Sequence, residues 1–338
     1  MTGRDLRALP KAHLHLHFTG AMRRPTLLDL AAEHGVRLPE ALASYHPLHL
    51  SPDERGWFRF QRLYDTARSV LQREDDVRRL LREVAADERA DGSGWLEIQV
   101  DPSGYAGLFG GVTAFAELVL DAAADASAHS GVGIGIVIGA NRTKHPLEAR
   151  TLARLAAQYA GRGVVGFGLG NDERRGRAED FEAAFRIAGR AGLLAVPHGG
   201  ELAGSGSVRA CVEALGAHRV GHGIRATEDP RVVDLLAVAG VTCEVCPASN
   251  LALGIYPEAS AVPLRGLLDG GVQVALGADD PLLFGSRLTD QYVLARDALG
   301  LDDTALAGLA AMSVRASAAP EPVRARLLTG IEAWLAAP

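Results

Sequence analysis

Two histidines two residues apart, His15 and His17, stand at the end of the apolar run Ala12 to His17. On a β-strand that spacing puts both imidazoles on one face, where together they can hold a metal ion, although two ordinary strand-end histidines would be spaced the same way. Further along, His198, Glu201, His222 and the adjacent Asp279 and Asp280 also fall at the ends of apolar runs. Three imidazoles and a carboxylate drawn from this set form a nitrogen and oxygen ligand shell that suits Zn²⁺ and leaves one position for water. Water held in that way loses its proton near neutral pH, so His222 is a candidate proton acceptor and Glu201 a candidate donor to substrate. Taken singly, His222 reads equally well as a histidine hydrogen-bonded to backbone, and Asp279-Asp280 as a solvated turn before Pro281. Their joint occurrence at successive strand ends is what favours chemistry.

The elements that must position these residues alternate short Val/Ile/Leu-rich runs with amphipathic helices, the pattern of βα units around a parallel sheet. Eight strands are predicted: Ala12 to His17, Trp95 to Asp101, Val132 to Gly139, Gly163 to Leu169, Leu193 to His198, Arg219 to His222, Val241 to Cys246 and Val272 to Gly277. In the helix predicted over Thr113 to Ser130, apolar side chains at Phe115, Leu118, Val119 and Ala122 follow helical spacing and Gly131 closes the end. Further helices are expected at Pro146 to Ala160, Ala178 to Ala191, Ser207 to Leu215, Asp229 to Ala239 and Pro263 to Leu268. Eight such units imply an α/β fold, a single-domain (β/α)₈ TIM barrel spanning 1–338, with its active site at the C-terminal ends of the strands.

One connection is too long for a crossover helix. Residues 18–94 carry helical pieces at Thr26 to His34, Arg59 to Leu71 and Asp75 to Asp91, and are expected to form a helical insertion after the first strand, over the barrel mouth. Its aromatics Trp57, Phe58, Phe60 and Tyr64 read either as the insertion's own small core or as an apolar lid over a flat ligand. The tail beyond Thr304, ending in a helix over Glu321 to Leu335, reads as packing.

Composition narrows the partner. The chain has 338 residues, 48% hydrophobic and 22% charged, which provides for a sizeable core. A formal charge of −6 with no basic block argues against a nucleic-acid groove and for a small-molecule partner. No run approaches the roughly 18 apolar residues of a membrane span, and Met1 to Asp5 is too polar for a secretory segment, so a cytoplasmic location is expected. Three cysteines make no disulfide framework. Cys243 and Cys246 have the spacing of half a zinc ribbon or a redox pair, but no second pair exists and a strand puts them on opposite faces, so they read as buried packing residues. The glycines of Gly131-Val132-Gly133-Ile134-Gly135 alternate within an apolar strand instead of opening a helix, which makes a weak dinucleotide loop. The H-x-E and P-C-x-x-C signature of the cytosine-type zinc deaminases is absent.

The chain resembles the adenosine deaminase family of the metal-dependent amidohydrolases. The matching segments are Lys11-Ala12-His13-Leu14-His15-Leu16-His17 with Gly20, His198-Gly199-Gly200-Glu201, Arg219-Val220-Gly221-His222-Gly223, Cys246-Pro247-Ala248-Ser249-Asn250, and Asp279-Asp280-Pro281 followed by Phe284-Gly285. The resemblance implies one Zn²⁺ per chain, held by His15, His17, His198 and Asp279, and hydrolytic deamination at C6 of an adenine nucleoside. It further implies that His222 serves as the base, that Glu201 protonates N1 and that Asp280 bonds N7, with His17, Thr19 and Asn171 also near substrate.

Four places depart from the family pattern: Gly277-Ala278 replace a more polar pair and Gly200 replaces Ala, both tolerable because small residues persist at a close approach, and Thr19 and Asn171 bear on the substrate. Thr19 stands where these enzymes commonly carry an Asp that meets the ribose, and Asn171 replaces a Gly whose backbone N–H meets N3. The expected substrate is therefore adenosine or a modified adenine nucleoside, with aminodeoxyfutalosine the alternative in the same chemistry. A hydrolase on another bond lacks an obvious bridging Lys on the fourth strand, and a non-catalytic nucleoside-binding or growth-factor-like module would have no need of Glu201, His222 and Asp280 together.

Overall fold

The computed structural model describes residues 3–44, 46 and 48–337. Eight strands, β1 (Lys11–His17), β2 (Ser93–Val100), β3 (Gly133–Asn141), β4 (Val164–Gly170), β5 (Leu194–Gly199), β6 (Arg219–His222), β7 (Thr242–Val245) and β8 (Gln273–Leu276), pair in parallel in sequence order. The last strand returns to the first. Asp279, just past β8, bridges Leu16, its N–H donating to His15 O at 3.0 Å while its carbonyl accepts from His17 N at 2.9 Å. This is the (β/α)₈ barrel expected from the alternation of runs, and every strand lies within two residues of its predicted limits. The strands are apolar on both faces because helices cover the outside while side chains fill the inside.

The barrel is closed underneath by the chain's end. The helices Asp303–Ala316 and Glu321–Ala336 pack there, and Ser313 Oγ accepts from Ala12 N. A helix at Leu288–Asp297, between β8 and this tail, had no counterpart among the predicted elements, and the predicted helix Ala178 to Ala191 is broken into a 3₁₀ turn, Ala178–Phe181, and the helix Glu182–Arg190. Between β1 and β2 stand the helices Arg24–His34, Glu54–Arg68 and Glu74–Ala90. No helix among the described residues is long and apolar enough to cross a membrane.

β1 is not a regular strand. Its pairing with β2 shifts register between His13 and Leu16, so His13 and His15, two residues apart, face opposite ways. His13 turns outward to the helix Glu74–Ala90, donating from Nδ1 to Glu88 at 2.8 Å and accepting at Nε2 from Ala278 N at 3.0 Å. His15 and His17 turn inward. A bulge next to a functional site commonly re-aims a side chain, and here it separates one histidine from the other two.

Candidate active site

The inward histidines meet residues from the far side of the barrel. His17 Nε2 lies 3.2 Å from His198 Nε2, at the end of β5, and 3.1 Å from Asp279 Oδ1; His15 Nε2 is 3.6 Å from the same Asp279 oxygen. Gly221 on β6 makes this approach possible, since a Cβ there would sit 2.8 Å from His15 Cε1 and 3.2 Å from His198 Cγ. Donors around a tetrahedral Zn²⁺ at about 2.0–2.1 Å are spaced roughly 3.3 Å apart, the spacing these side chains already have. His15 Nε2, buried, has no hydrogen-bond partner in the protein. These residues fit a metal ion by spacing, by donor type and by that orphaned nitrogen.

The next layer of residues aims the donors. His15 Nδ1 bonds Glu244 Oε2 at 2.8 Å, and Ser249 Oγ donates to Asp279 Oδ2 at 2.6 Å. Glu244 is itself held by Arg219, whose Nε reaches Glu244 Oε1 at 2.5 Å and whose Nη2 pairs with Glu97. Burial works against charge on His15, yet the neighbouring carboxylates of Asp279 and Glu244 prevail and push its pKa up to about 10, so the surroundings favour positive charge at this point. Burial also opposes the ionised form of Asp279, but the adjacent imidazoles of His15 and His17 hold it well below the ordinary carboxyl range. His198 is pushed well below the usual imidazole range by burial and then by neighbouring His15, His17 and His222. It is therefore neutral, the form a metal ligand requires.

Three more groups of the cavity stay uncharged. Burial, with the charges of Asp279 and Glu173 adding, holds the Glu201 carboxyl well above its ordinary range. Burial and then Asp279 do the same for Asp280, so the cavity favours the protonated form of both acids. Burial chiefly lowers His222 to about 3, leaving a neutral imidazole whose Nε2 is 3.5 Å from Glu201 Oε2. Gly20 explains its own place beside this group: a Cβ there would fall 1.8 Å from Asp280 Oδ1.

Asn171, His222 and Asp279 are the non-glycine residues with left-handed backbone among those described, at φ 79°, 62° and 61°. Such conformations cost about 1–3 kcal/mol each and cluster at functional sites. Asn171 lines the cavity, but its side chain turns away, donating from Nδ2 to Gln61 Oε1 at 3.1 Å and accepting at Oδ1 from Asp172 N. Thr19 is fully buried and its hydroxyl bonds Tyr105 Oη, so it stands behind the cavity wall, which Tyr105 itself lines. Trp57, Phe60 and Tyr64 from the helix Glu54–Arg68 form the cover, with Phe60 stacked on Phe284 at 5.5 Å. Phe58, on the same helix, is exposed, with Arg175 over its ring.

All the proposed metal and proton-transfer residues converge on one cavity or its wall. Sequence reasoning did not single out Glu244, Glu173, Gln99, Asp101 or Asn141. Glu244 had a readable signal, a lone carboxylate inside the apolar strand Val241 to Cys246, which must find a partner when buried. The cysteines flanking it are free and buried, and burial pushes the Cys243 thiol up to about 12.

A barrel with an inward His/Asp cluster at the ends of β1, β5 and β8, beside buried Glu201, His222 and Asp280, is of the metal-dependent amidohydrolase type. The adenosine deaminase family model matches residues 10–334, and the chain belongs to that family and is a deaminase-type hydrolase. It is 62% identical over 333 residues to a putative adenosine/adenine deaminase of Streptomyces virginiae, covering 98% of each chain. It is 32% identical over 322 residues to an adenine deaminase of Rhizobium leguminosarum bv. trifolii, covering 95% of this chain and 98% of that one. The crystal structure of adenine deaminase from Arthrobacter aurescens superposes with a TM-score of 0.89 at 29% identity, over 97% of this chain and 99% of the other.

Proposed function

We propose that this protein is a Zn²⁺-dependent aminohydrolase that removes the 6-amino group of an adenine ring as ammonia, with free adenine its preferred substrate. The observation that carries the reading is the pairing of a metal-fitting cluster with two buried carboxyls, Glu201 and Asp280, in one covered cavity whose burial favours their protonated form. The ring nitrogens of adenine are acceptors, and two buried acids are suited to donate to them. The names of the relatives support an adenine ring. The loss of a ribose-facing carboxylate at position 19, and the engagement of Thr19 with Tyr105, support the base over the nucleoside.

His15, His17, His198 and Asp279 would hold the ion. Bound there, Zn²⁺ supplies Lewis-acid activation of water near neutral pH. His222, neutral, accepts the proton of the attacking water. Glu201 gives its proton to N1 as C6 becomes tetrahedral, so the ring takes up electron density without carrying net charge. Asp280 donates to N7 and fixes the ring's angle, while the backbone N–H of Asn171 is aimed by its left-handed conformation. Trp57, Phe60 and Tyr64 keep bulk water off the ring. His222 then returns its proton to the amino nitrogen and the Glu201 carboxylate takes the proton of the C6 hydroxyl, so that collapse of the tetrahedral carbon expels ammonia, leaves a 6-oxo ring and restores both groups.

The test is ammonia release from adenine, adenosine, 2′-deoxyadenosine, 5′-modified adenosines and aminodeoxyfutalosine. The expected result is turnover of adenine at the highest kcat/KM. A higher value for adenosine overturns the choice of base over nucleoside, and no turnover of any by Zn²⁺-loaded protein overturns the aminohydrolase reading.

A further inference from the structure

Glu201 sits on a loop with no regular structure, between the end of β5 and the helix Ser205–Glu213, yet its chemistry demands a fixed position. The fixing group comes from the neighbouring loop after β4. Glu173 Oε2 accepts from three successive backbone N–H groups, those of Glu201 at 2.8 Å, Leu202 at 2.6 Å and Ala203 at 2.9 Å. Its other oxygen accepts from Ser207 Oγ at 2.9 Å, at the start of the helix. Consecutive N–H groups turned to one point make an anion-binding concavity, and hydrogen bonds to an ionised acceptor are the strong ones. Glu173 is only 7% exposed, so water does not compete for these donors.

The carbonyl side of the same loop is held as well. Arg225 N donates to Gly200 O at 3.2 Å and Arg225 Nη1 to Leu202 O at 3.0 Å. The loop is thus gripped on both sides, and the Gly200–Glu201 peptide is held at its carbonyl by Arg225 and at its N–H by Glu173.

We infer that Glu173 is a positioning residue for the deamination: its carboxylate, clamped by the N–H groups of residues 201–203, fixes the loop that aims the Glu201 acid at the substrate ring. Glu173 touches neither substrate nor metal, and the inference rests on the reading of Glu201 as the proton donor. Glu173→Ala leaves three N–H groups, that of Glu201 buried and those of Leu202 and Ala203 half-buried, without their acceptor and frees the loop. Misplacement of a catalytic group by about 1 Å costs on the order of 10²-fold in rate, so kcat is expected to fall by about that factor. KM for adenine and bound Zn²⁺ are expected to stay at wild-type values. Glu173→Gln keeps an oxygen for the N–H groups, with Ser207 Oγ turning to accept from the new amide, and is expected to restore kcat.

A contribution to fold stability alone would lower Tm and leave kcat of the folded enzyme intact, which the KM-against-kcat split detects. Unchanged kcat in Glu173→Ala overturns the inference, and so does loss of Zn²⁺ in step with kcat. If that variant does not fold, Glu173→Gln and wild-type hydrogen exchange decide. Slow exchange of the amides of 201–203, together with near-normal kcat in Glu173→Gln, supports the clamp; fast exchange, or a Glu173→Gln variant with kcat strongly reduced, refutes it. An active Glu201→Gln variant would instead remove the underlying reading of Glu201, a separate and distinguishable outcome.

Discussion

Glu244→Gln tests whether the buried charges behind the site serve the metal or only the fold. Glu244 is fully buried and shares its two oxygens between His15 Nδ1 at 2.8 Å and Arg219 Nε at 2.5 Å. A glutamine of the same shape can accept one of these bonds but presents an N–H₂ to the other donor. Removing one partner of a buried ion pair costs about 3–5 kcal/mol, and the lower figure applies because Arg219 keeps Glu97 and the carbonyl of Ala316. Loss of the group that orients a ligating histidine typically costs about 10–100-fold in metal affinity. Chelator competition for Zn²⁺ and urea unfolding of the same samples separate the two effects. Glu97→Gln is the control, since it weakens the Arg219 network without touching the His15–Glu244 bond. Affinity that is unchanged in Glu244→Gln, or lowered equally in Glu97→Gln, refutes the argument that Glu244 aims His15.

Glu201→Gln is expected to bind Zn²⁺ normally and to lose about 10²–10⁴-fold in kcat, the ordinary range for a general acid, measured as ammonia release. Stripping the metal with a chelator is expected to abolish turnover and lower the urea midpoint, and added Zn²⁺ to restore both; activity that survives complete removal would refute the metal reading. Lys11, fully buried, has its amine pushed down to about 8 by burial, against nearby Asp91, Glu88 and Asp5, which raise it. The fold thus favours the neutral amine, a contribution complete above the unfolded value of 10.5 and lost as pH falls through about 8, worth about 3 kcal/mol by linkage. Buried cysteines titrate oppositely in this range, so the check is the difference between wild type and Lys11→Met, which should shift toward wild type as pH rises from 8 to 10.5; a flat difference refutes it.

The barrel was legible because parallel strands buried on both faces are written as continuous apolar runs, and eight of them leave little choice of architecture. The cluster at the strand ends was legible because its histidines and carboxylates stand where those runs stop. What was not legible depends on departures from regularity. The alternation His13, His15, His17 suggests one shared face, and nothing in Lys11 to His17 announces the bulge that sends His13 to Glu88 instead. Thr19 and Asn171 were read by type, but where their side chains go is set by Tyr105 and Gln61, which lie 86 and 110 residues away in the chain. Glu173 stood beside Asn171 in plain view. Its role requires knowing that the loops after β4 and β5 are neighbours in space, a fact of barrel order that composition does not carry.

The candidate metal cluster and barrel closure meet at one residue. Among the described residues the bridge between the end of β8 and β1 pairs Asp279 with Leu16, and the carboxylate of the same Asp279 faces His15 and His17. Its left-handed backbone is strained, and the two hydrogen bonds to His15 O and His17 N that hold it there are the ones that close the seam. An ion held by His15, His17, His198 and Asp279 would tie β1 to β5 across the barrel and to the end of β8 at the seam. Folding and metal affinity then share a free energy, because a ligand that binds only the closed barrel stabilises it by mass action. Charged residues stand in this barrel interior where branched apolar side chains usually fill it: Glu97, Arg219 and Glu244 pair with one another in the inner wall beneath the histidine cluster, and with an ion bound there the seam above them would gain its stability from that ion.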